Sequence, residues 1–310
     1  MTLRVGTFDF CMPEWENIFY PAGVTDYGGM LQHYGSKFCT TEISLESITD
    51  RTMCKYLLKG VKGNSAFRYI FTYAAPNGMV DAEEFSSKYS KPLSRFQKAG
   101  YLGGILIIFP AVLTYSVRLM NALRKMMNDL PTDISFMVEV FDSSWLLPSR
   151  VRALFEKHDN WSMVVSCLQN HFSHAGWAGS MPSTFLKSKA PSHLQQQLEA
   201  FPKKPIHYIR FYGSHGKECG SYDHNGYLEH LVSLLSNVEG EIYCLFGNMD
   251  GTYTSPFLPQ VVGGIVFNPK IYILPSHTTA DLPPCLHDSL RLQELVRDQD
   301  DGCVPLVVNH

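Results

Sequence analysis

The sequence predicts an α/β protein built as a (β/α)8 barrel of the TIM type, in a single domain. Short runs rich in β-branched and aromatic residues alternate along the chain with longer segments of helical period. Eight strand candidates can be counted, a number that favours a closed barrel over an open, doubly wound parallel sheet. The length of 310 residues suits one barrel with additions, because such barrels typically need about 250 residues.

The predicted strands all lie within the first 246 residues. They lie at 3–8, 38–44, 67–73, 104–109, 135–141, 162–167, 207–212 and 241–246. The clearest helix is predicted at 112–128, where apolar residues recur at steps of three and four. Pro148 suits the first turn of another helix, and Asp223 suits the N-cap of a third. Repeated strand, helix and strand units of this kind predict parallel strands.

Two segments interrupt the alternation. Residues 168–205 contain several glycines and prolines and are predicted to form a long loop after the sixth strand. Residues 251–310 follow the eighth strand and include a helical pattern at about 286–296. We therefore assign residues 1–250 to the barrel, and residues 251–310 to a closing helix and a C-terminal extension of the same domain.

Composition narrows the class of function. The chain has 26 Lys and Arg against 29 Asp and Glu, a net charge of −3, so nucleic-acid binding and attraction to an anionic membrane are not expected. No window approaches the roughly 18 apolar residues of a membrane-spanning helix, and no leader pattern opens the chain. The eight cysteines include no C-x-x-C pair. A cytoplasmic location is the expectation, and oligomeric state is left open.

Charged residues inside otherwise apolar strands are the main indication of a site. Successive side chains of a barrel strand alternate between the interior and the helix layer. This alternation directs Glu42, Glu139 and Arg210 into the interior, where barrels usually pack Val, Ile and Leu. An unpaired charge there would cost several kcal/mol, so these groups should pair with each other, with a ligand or with a metal ion.

The three charges allow more than one interpretation. Glu42 and Glu139 can be the acid–base pair of a hydrolase- or isomerase-like enzyme, with Arg210 holding an anionic group of a small, sugar-like or phosphorylated substrate. They can equally be a buried ion-pair network that holds the barrel together. A noncatalytic binding protein with a degenerate site is a further possibility. A metal-dependent nucleic-acid processing protein is the least favoured, because the chain lacks a basic patch.

Further ligand-binding candidates follow from their positions near the carboxyl ends of strands, where barrel enzymes keep their sites. They are Asp9, Trp145, Tyr212, His215, Lys217 and Asn248. His215 and Lys217 lie in the Gly-rich loop 213–220, whose backbone N–H groups can converge on an anion. The predicted ligand is therefore small and polar or anionic.

A metal site is not predicted. Asp9 with Glu42 and Glu139 would offer carboxylate oxygens to a hard divalent cation. Arg210 on the same inner wall would repel that cation. No motif assigns a cofactor.

A series of short motifs follows one another over residues 3–250. It comprises Gly6-Thr7, Pro13-Glu14-Trp15, Phe19-Tyr20-Pro21, Thr41-Glu42-Ile43, Phe109-Pro110, Val138-Glu139 with Trp145, Tyr208-Ile209-Arg210 with Gly213, and Phe246-Gly247-Asn248. In this order the motifs resemble the domain of unknown function 72 family, also called YecE-like. The resemblance implies a TIM-type barrel without an established activity, with fold-level likeness to sugar isomerases and metal-dependent endonucleases.

The chain departs from the family pattern at several positions. Ser44, Tyr73, Ile108, Phe141 and Tyr212 stand where the family carries Asn, Lys, Gln, Arg and His, respectively. Glu42, Glu139, Arg210 and Asn248 match the pattern. The resemblance thus implies a divergent member that has kept its carboxylates and lost most other polar groups. Such a member either takes a different ligand or no longer does the family's chemistry.

Overall fold

The computed structural model describes residues 2–12, 15–75, 79–110, 113–140, 143–145, 149–168, 204–212, 227–236, 238–247 and 284–299. In these residues one sheet of parallel strands is surrounded by helices, so the predicted α/β barrel is confirmed. The strands are β1 Thr2–Thr7, β2 Thr40–Ser44, β3 Arg68–Ala74, β4 Leu102–Ile108, β5 Phe136–Glu139, β6 Trp161–Met163, β7 Val165–Leu168, β8 Ile206–Tyr212 and β9 Glu241–Gly247. Their order in the sheet is β6-β5-β4-β3-β2-β1-β9-β8-β7.

Helices connect most of the strands. They are α1 Tyr27–Gly35, α2 Arg51–Gly60, α3 Ala82–Lys98, α4 Val117–Asp129, α5 Ser149–Glu156, α6 Tyr227–Leu235 and α7 Pro284–Gln299, with 3₁₀ turns at Leu45–Thr49 and Ser143–Trp145. The first four helices begin where a capping side chain accepts a hydrogen bond from the N–H three residues on; the caps are Asp26, Asp50, Asp81 and Ser116. Among the described residues, no helix has the length and apolarity needed to cross a membrane.

The sixth strand differs from its prediction. Instead of one strand at 162–167 there are two, β6 and β7, separated by Val164. The first pairs with β5 and the second with β8. Because barrel strands are tilted and staggered, a short strand cannot pair along its whole length with both neighbours. The chain changes partner at Val164, whose N–H bonds Val138 O at 2.9 Å, and so joins the two ends of the sheet.

Two predicted helices are found with changed bounds. The helix predicted from residue 112 begins at Val117, because the Ser116 side chain caps it by accepting from Leu119 N. The helix predicted at about 286–296 is α7, and its Ser289 hydroxyl donates to Gly6 O in β1 at 3.2 Å. The proposed cap Asp223, most of the loop 168–205 and most of the extension 251–310 lie outside the described residues.

The barrel interior is filled by side chains of a single parity. They form one apolar cluster of Ile70, Leu106, Met137, Val164, Ile206, Tyr208, Tyr243 and Leu245. Residues of the opposite parity pack against the helices in the larger core. The alternation used to assign faces from the sequence therefore holds in these strands, and it carries the polar side chains of the same parity into the interior.

A side chain from the helix layer links strands β1 and β2. These two strands pair over only two residues each. The Tyr34 hydroxyl of α1 accepts from Thr7 N at 2.8 Å and donates to Thr40 O at 3.0 Å. A Cβ at Gly6 would lie 2.0 Å from Thr40 O, so only glycine allows this close approach of the two strands. The Tyr34 hydroxyl thus replaces part of the missing ladder.

We expect the substitution Tyr34→Phe to destabilise the protein by about 1–3 kcal/mol, because it leaves a buried N–H and a buried C=O without this partner. Urea denaturation measures the loss. Tyr56→Phe is the matched control: Tyr56 is exposed on α2, so this change should stay within about 0.5 kcal/mol. Equal effects of the two substitutions would show that the bridging hydroxyl is not important.

Candidate functional site

The structure brings the three interior charges together. Glu42 lies on β2, Glu139 is the last residue of β5, and Arg210 lies on β8. Their residues are 2%, 0% and 5% exposed, respectively. Glu139 and Arg210 share the parity of cluster residues on their own strands, and Glu42 lies opposite Ile70 of the cluster. Three strands that are far apart in the sheet order thus contribute one charged group each. We call these three residues the interior triad.

Arg210 stands between the two carboxylates. Its Nε donates to Glu42 Oε1 at 2.9 Å, and its Nη2 donates to Glu42 Oε2 at 2.8 Å. This is the two-pronged geometry in which a guanidinium matches a carboxylate best. The Nη1 atom donates to Glu139 Oε2. One guanidinium therefore serves two buried carboxylates.

Two hydroxyl groups complete the hydrogen bonding of the interior triad. The Tyr208 hydroxyl donates to Glu42 Oε1 at 2.7 Å, and the Ser166 hydroxyl donates to Glu139 Oε1 at 2.7 Å. All four carboxylate oxygens thus accept at least one hydrogen bond. Ser166 was not among the candidates from the sequence. Ser166 could have been identified only from its position opposite Arg210 in the neighbouring strand, and the sequence does not specify that register.

Burial dominates the electrostatics of Glu42. It raises the pKa of the Glu42 carboxyl, and the negative charge of Glu139 acts in the same direction. The Arg210 charge and the Tyr208 hydrogen bond oppose this rise. Burial and the nearby Glu42 charge raise the pKa of Tyr208 well above its ordinary value, so its hydroxyl stays protonated and acts as a donor.

Phe8 covers the guanidinium of Arg210. It directly follows β1, and the centroid of its ring lies 4.1 Å from Arg210 Cζ, a cation–π contact. The end of β9 leaves room for the ring, since a Cβ at Gly247 would lie 2.1 Å from a ring carbon of Phe8. Sequence reasoning missed Phe8, although its parity follows that of Gly6 on β1.

Asp9 lies beside this ring but takes no part in the triad. Its Oδ1 accepts from Phe10 N at 2.6 Å and from Cys11 N at 3.0 Å. Burial raises the pKa of the Asp9 carboxyl, and these two hydrogen bonds partly oppose the rise. Asp9 is at the carboxyl end of β1, which is the end of the barrel where the sequence placed it.

Of the other candidates, one is part of the core, and the rest lie outside the described residues or have side chains that do. Trp145 is fully buried, and its Nε1 donates to Leu113 O at 2.8 Å, so its indole is part of the core. Tyr212 ends β8, but its side chain is not among those described. His215, Lys217 and Asn248 lie outside the described residues.

One of the positions that departs from the family pattern does not face the interior. Tyr73 packs outward against Tyr89 of α3, with ring centroids 6.2 Å apart. Its neighbour Thr72 has the interior parity and is buried. Across the part of the chain that the structure describes, no three His, Cys, Asp or Glu side chains are grouped so as to hold a metal ion.

Removing the central cation should be costly. We expect Arg210→Met to lower the free energy of unfolding by about 3–5 kcal/mol, because two buried carboxylates lose their counter-charge. The triple variant Glu42→Leu, Glu139→Leu, Arg210→Met should recover most of that loss, since apolar groups of similar size need no partner. Urea denaturation of both variants tests this. A single variant as stable as the original protein would contradict the pairing.

The raised pKa of Asp9 predicts a pH dependence. The folded state holds the Asp9 proton more tightly than the unfolded chain, so its ionisation opposes folding as the pH rises above 3.8. Relative to Asp9→Asn, the unmodified protein should lose up to about 1.4 kcal/mol of stability per pH unit in that window, and nothing below it. Paired urea titrations from acid to neutral pH measure the difference. If the stability of the unmodified protein relative to Asp9→Asn stays constant or increases as the pH rises, the burial effect is contradicted.

Comparison with known proteins agrees with this fold. The model of the family described as Protein of unknown function DUF72 matches residues 4–258. A DUF72 family protein from Thermotoga maritima gives a TM-score of 0.63 at 14% identity, covering 96% of this chain and 100% of that one. A DUF72 family protein from Enterococcus faecalis gives 0.58 at 12% identity, covering 96% of each chain. No curated protein matched. Because the family model spans most of its residues, the chain belongs to the DUF72 family.

Proposed function

We propose that this protein binds a small neutral or cationic polar molecule at the carboxyl-end mouth of its barrel, without using Glu42 and Glu139 as an acid–base pair. In this proposal the interior triad is the closed floor of the site. The ligand lies above it, among residues at the ends of the strands.

One observation carries the proposal: both carboxylates of the triad are buried and already hydrogen-bonded to other side chains of the protein. A general acid or base must come within hydrogen-bond reach of the proton that it transfers. Glu42 and Glu139 direct all four oxygens to Arg210, Tyr208 and Ser166. A substrate would have to displace these hydrogen bonds inside the barrel before either group could act.

Charge argues against an anionic ligand. Two carboxylates and one guanidinium leave the triad with one net negative charge when all three are ionised. The Arg210 guanidinium is ion-paired with both carboxylates, and the Phe8 ring packs over that guanidinium. Ser44, Ala74 and Ile108 end β2, β3 and β4 with the interior parity, and Phe8 follows β1; all four are uncharged and partly exposed. A neutral or cationic ligand suits this rim better than a phosphorylated one.

The raised pKa of Glu42 favours a second candidate, an enzyme of hydrolase or isomerase type. Burial raises the pKa of the Glu42 carboxyl, which is the direction that a general acid requires. For this role the Phe8 ring would have to leave Arg210 so that a substrate could reach the triad. The two candidates differ in whether a bound molecule is converted.

Thermal-shift measurements test the proposal with three sets of compounds: sugars and polyols, small amines, and sugar phosphates. We expect stabilisation by members of the first or second set, worth about 2.7 kcal/mol at a hundredfold excess over Kd. Sugar phosphates should bind no better than their neutral parents. Preferential binding of the phosphates would overturn the proposal, because it would require a cationic site.

Turnover separates the two candidates. The best-binding compound is incubated with the protein and followed by NMR, with Glu42→Gln as the paired variant. A noncatalytic site leaves the compound unchanged with either protein. Conversion that is lost in Glu42→Gln would favour the enzyme.

A further inference from the structure

A second polar cluster lies in the connection between β1 and α1. Asp9 accepts from Phe10 N and Cys11 N, the Phe10 ring packs against Tyr27, and the nearby charge of Asp9 contributes to the raised pKa of the Tyr27 hydroxyl. Asp9 follows β1, and Tyr27 is the first residue of α1. The connections after strands are where barrels bind their ligands. We call Asp9 and Tyr27 the β1–α1 pair.

The β1–α1 pair has unused hydrogen-bonding capacity. Asp9 Oδ1 accepts two backbone N–H groups, whereas the second carboxylate oxygen accepts none from the described residues. Tyr27 packs its ring edge to face against Phe10, at 4.7 Å between centroids. Its hydroxyl makes no hydrogen bond with any described residue, and neither residue is fully buried. An acceptor and a donor are therefore available close to each other.

The described part of the chain supplies no counter-charge to Asp9. Among the described side chains, no Lys, Arg or His forms an ion pair with its carboxylate. The guanidinium of Arg210 in the barrel interior is bound to Glu42 and Glu139. A partly buried carboxylate without a counter-charge is unfavourable, and a ligand that brings the charge removes that cost. The rings of Phe10 and Tyr27, which pack against each other next to Asp9 in the same connection, would also favour a cation.

We propose that Asp9 binds the ammonium group of a small ligand and that the Tyr27 hydroxyl donates to a neighbouring oxygen of the same molecule. The ligand class is thus a small amine that also carries an oxygen acceptor. This inference rests on the proposed ligand-binding function and narrows it. It also assigns ligand contact to the β1–α1 pair and not to the carboxylates of the interior triad.

Three probes with the same two-carbon skeleton test the charge preference: ethanolamine, ethylene glycol and glycolate. Binding is measured by thermal shift and by ligand-observed NMR, at constant ionic strength set with sodium chloride. We expect ethanolamine to bind more tightly than the glycol, and glycolate not to bind. Equal binding of all three, preferential binding of glycolate, or no binding of ethanolamine would overturn the inference.

Substitutions locate the contact. Asp9→Asn keeps the acceptor for Phe10 N and Cys11 N and removes the charge, so the Kd for ethanolamine should rise about tenfold to hundredfold. Tyr27→Phe should raise it about threefold to tenfold. Asp129→Asn, on the outer helix α4, removes an equal charge and should leave the Kd unchanged. An unchanged Kd in Asp9→Asn would overturn the assignment.

The result also separates this inference from the proposed function. If neutral polyols stabilise the protein and ethanolamine does not, the inference fails while the ligand-binding function stands. If only sugar phosphates bind, both fail. If Asp9→Asn fails to fold, Tyr27→Phe still tests the ligand contact, because it leaves every backbone hydrogen bond of Asp9 in place.

Discussion

The guanidinium of Arg210 is the group on which the barrel interior depends. It brings side chains of β2, β5 and β8 to one point, beside an apolar cluster that fills much of the interior. Two carboxylates could not share this space without it, because each would be buried beside a like charge. The planar fork of arginine can bond both, which a lysine ammonium could not do with the same geometry. The triad thus fixes how these three strands face one another.

This closure also shapes the functional interpretation. A family member that kept its two glutamates would at first be assigned acid–base chemistry. Here the glutamates are saturated, and Phe8 lies over the cation that holds them, in the room that Gly247 leaves. Contact with a ligand at the mouth is then made by groups at the carboxyl ends of the strands. One oxygen of the Asp9 carboxylate accepts no hydrogen bond from the described residues, so ligand contact is expected in the β1–α1 connection.

Local patterns predicted the elements well and their partners less well. Alternation identified the interior faces of β2, β5 and β8, and therefore Glu42, Glu139 and Arg210. The sixth strand was predicted as one piece because its sequence is continuously strand-like across Val164. Its division follows from pairing with two different neighbours, β5 and β8. The start of α4 was predicted too early because the apolar period continues upstream of Ser116. In the structure the Ser116 cap sets the first residue of the helix at Val117.

By itself, the sequence determined the class of the fold, the parity of each strand and the type of the buried charges, because periodicity and residue chemistry are local properties. It also determined membership in the DUF72 family through the order of its motifs. Only the tertiary structure decided which groups meet: that Arg210 bonds both glutamates, that Ser166 and Tyr208 complete the network, and that Phe8 covers it. Those contacts depend on strand register and barrel stagger, which are set by the packing of residues far apart in the chain.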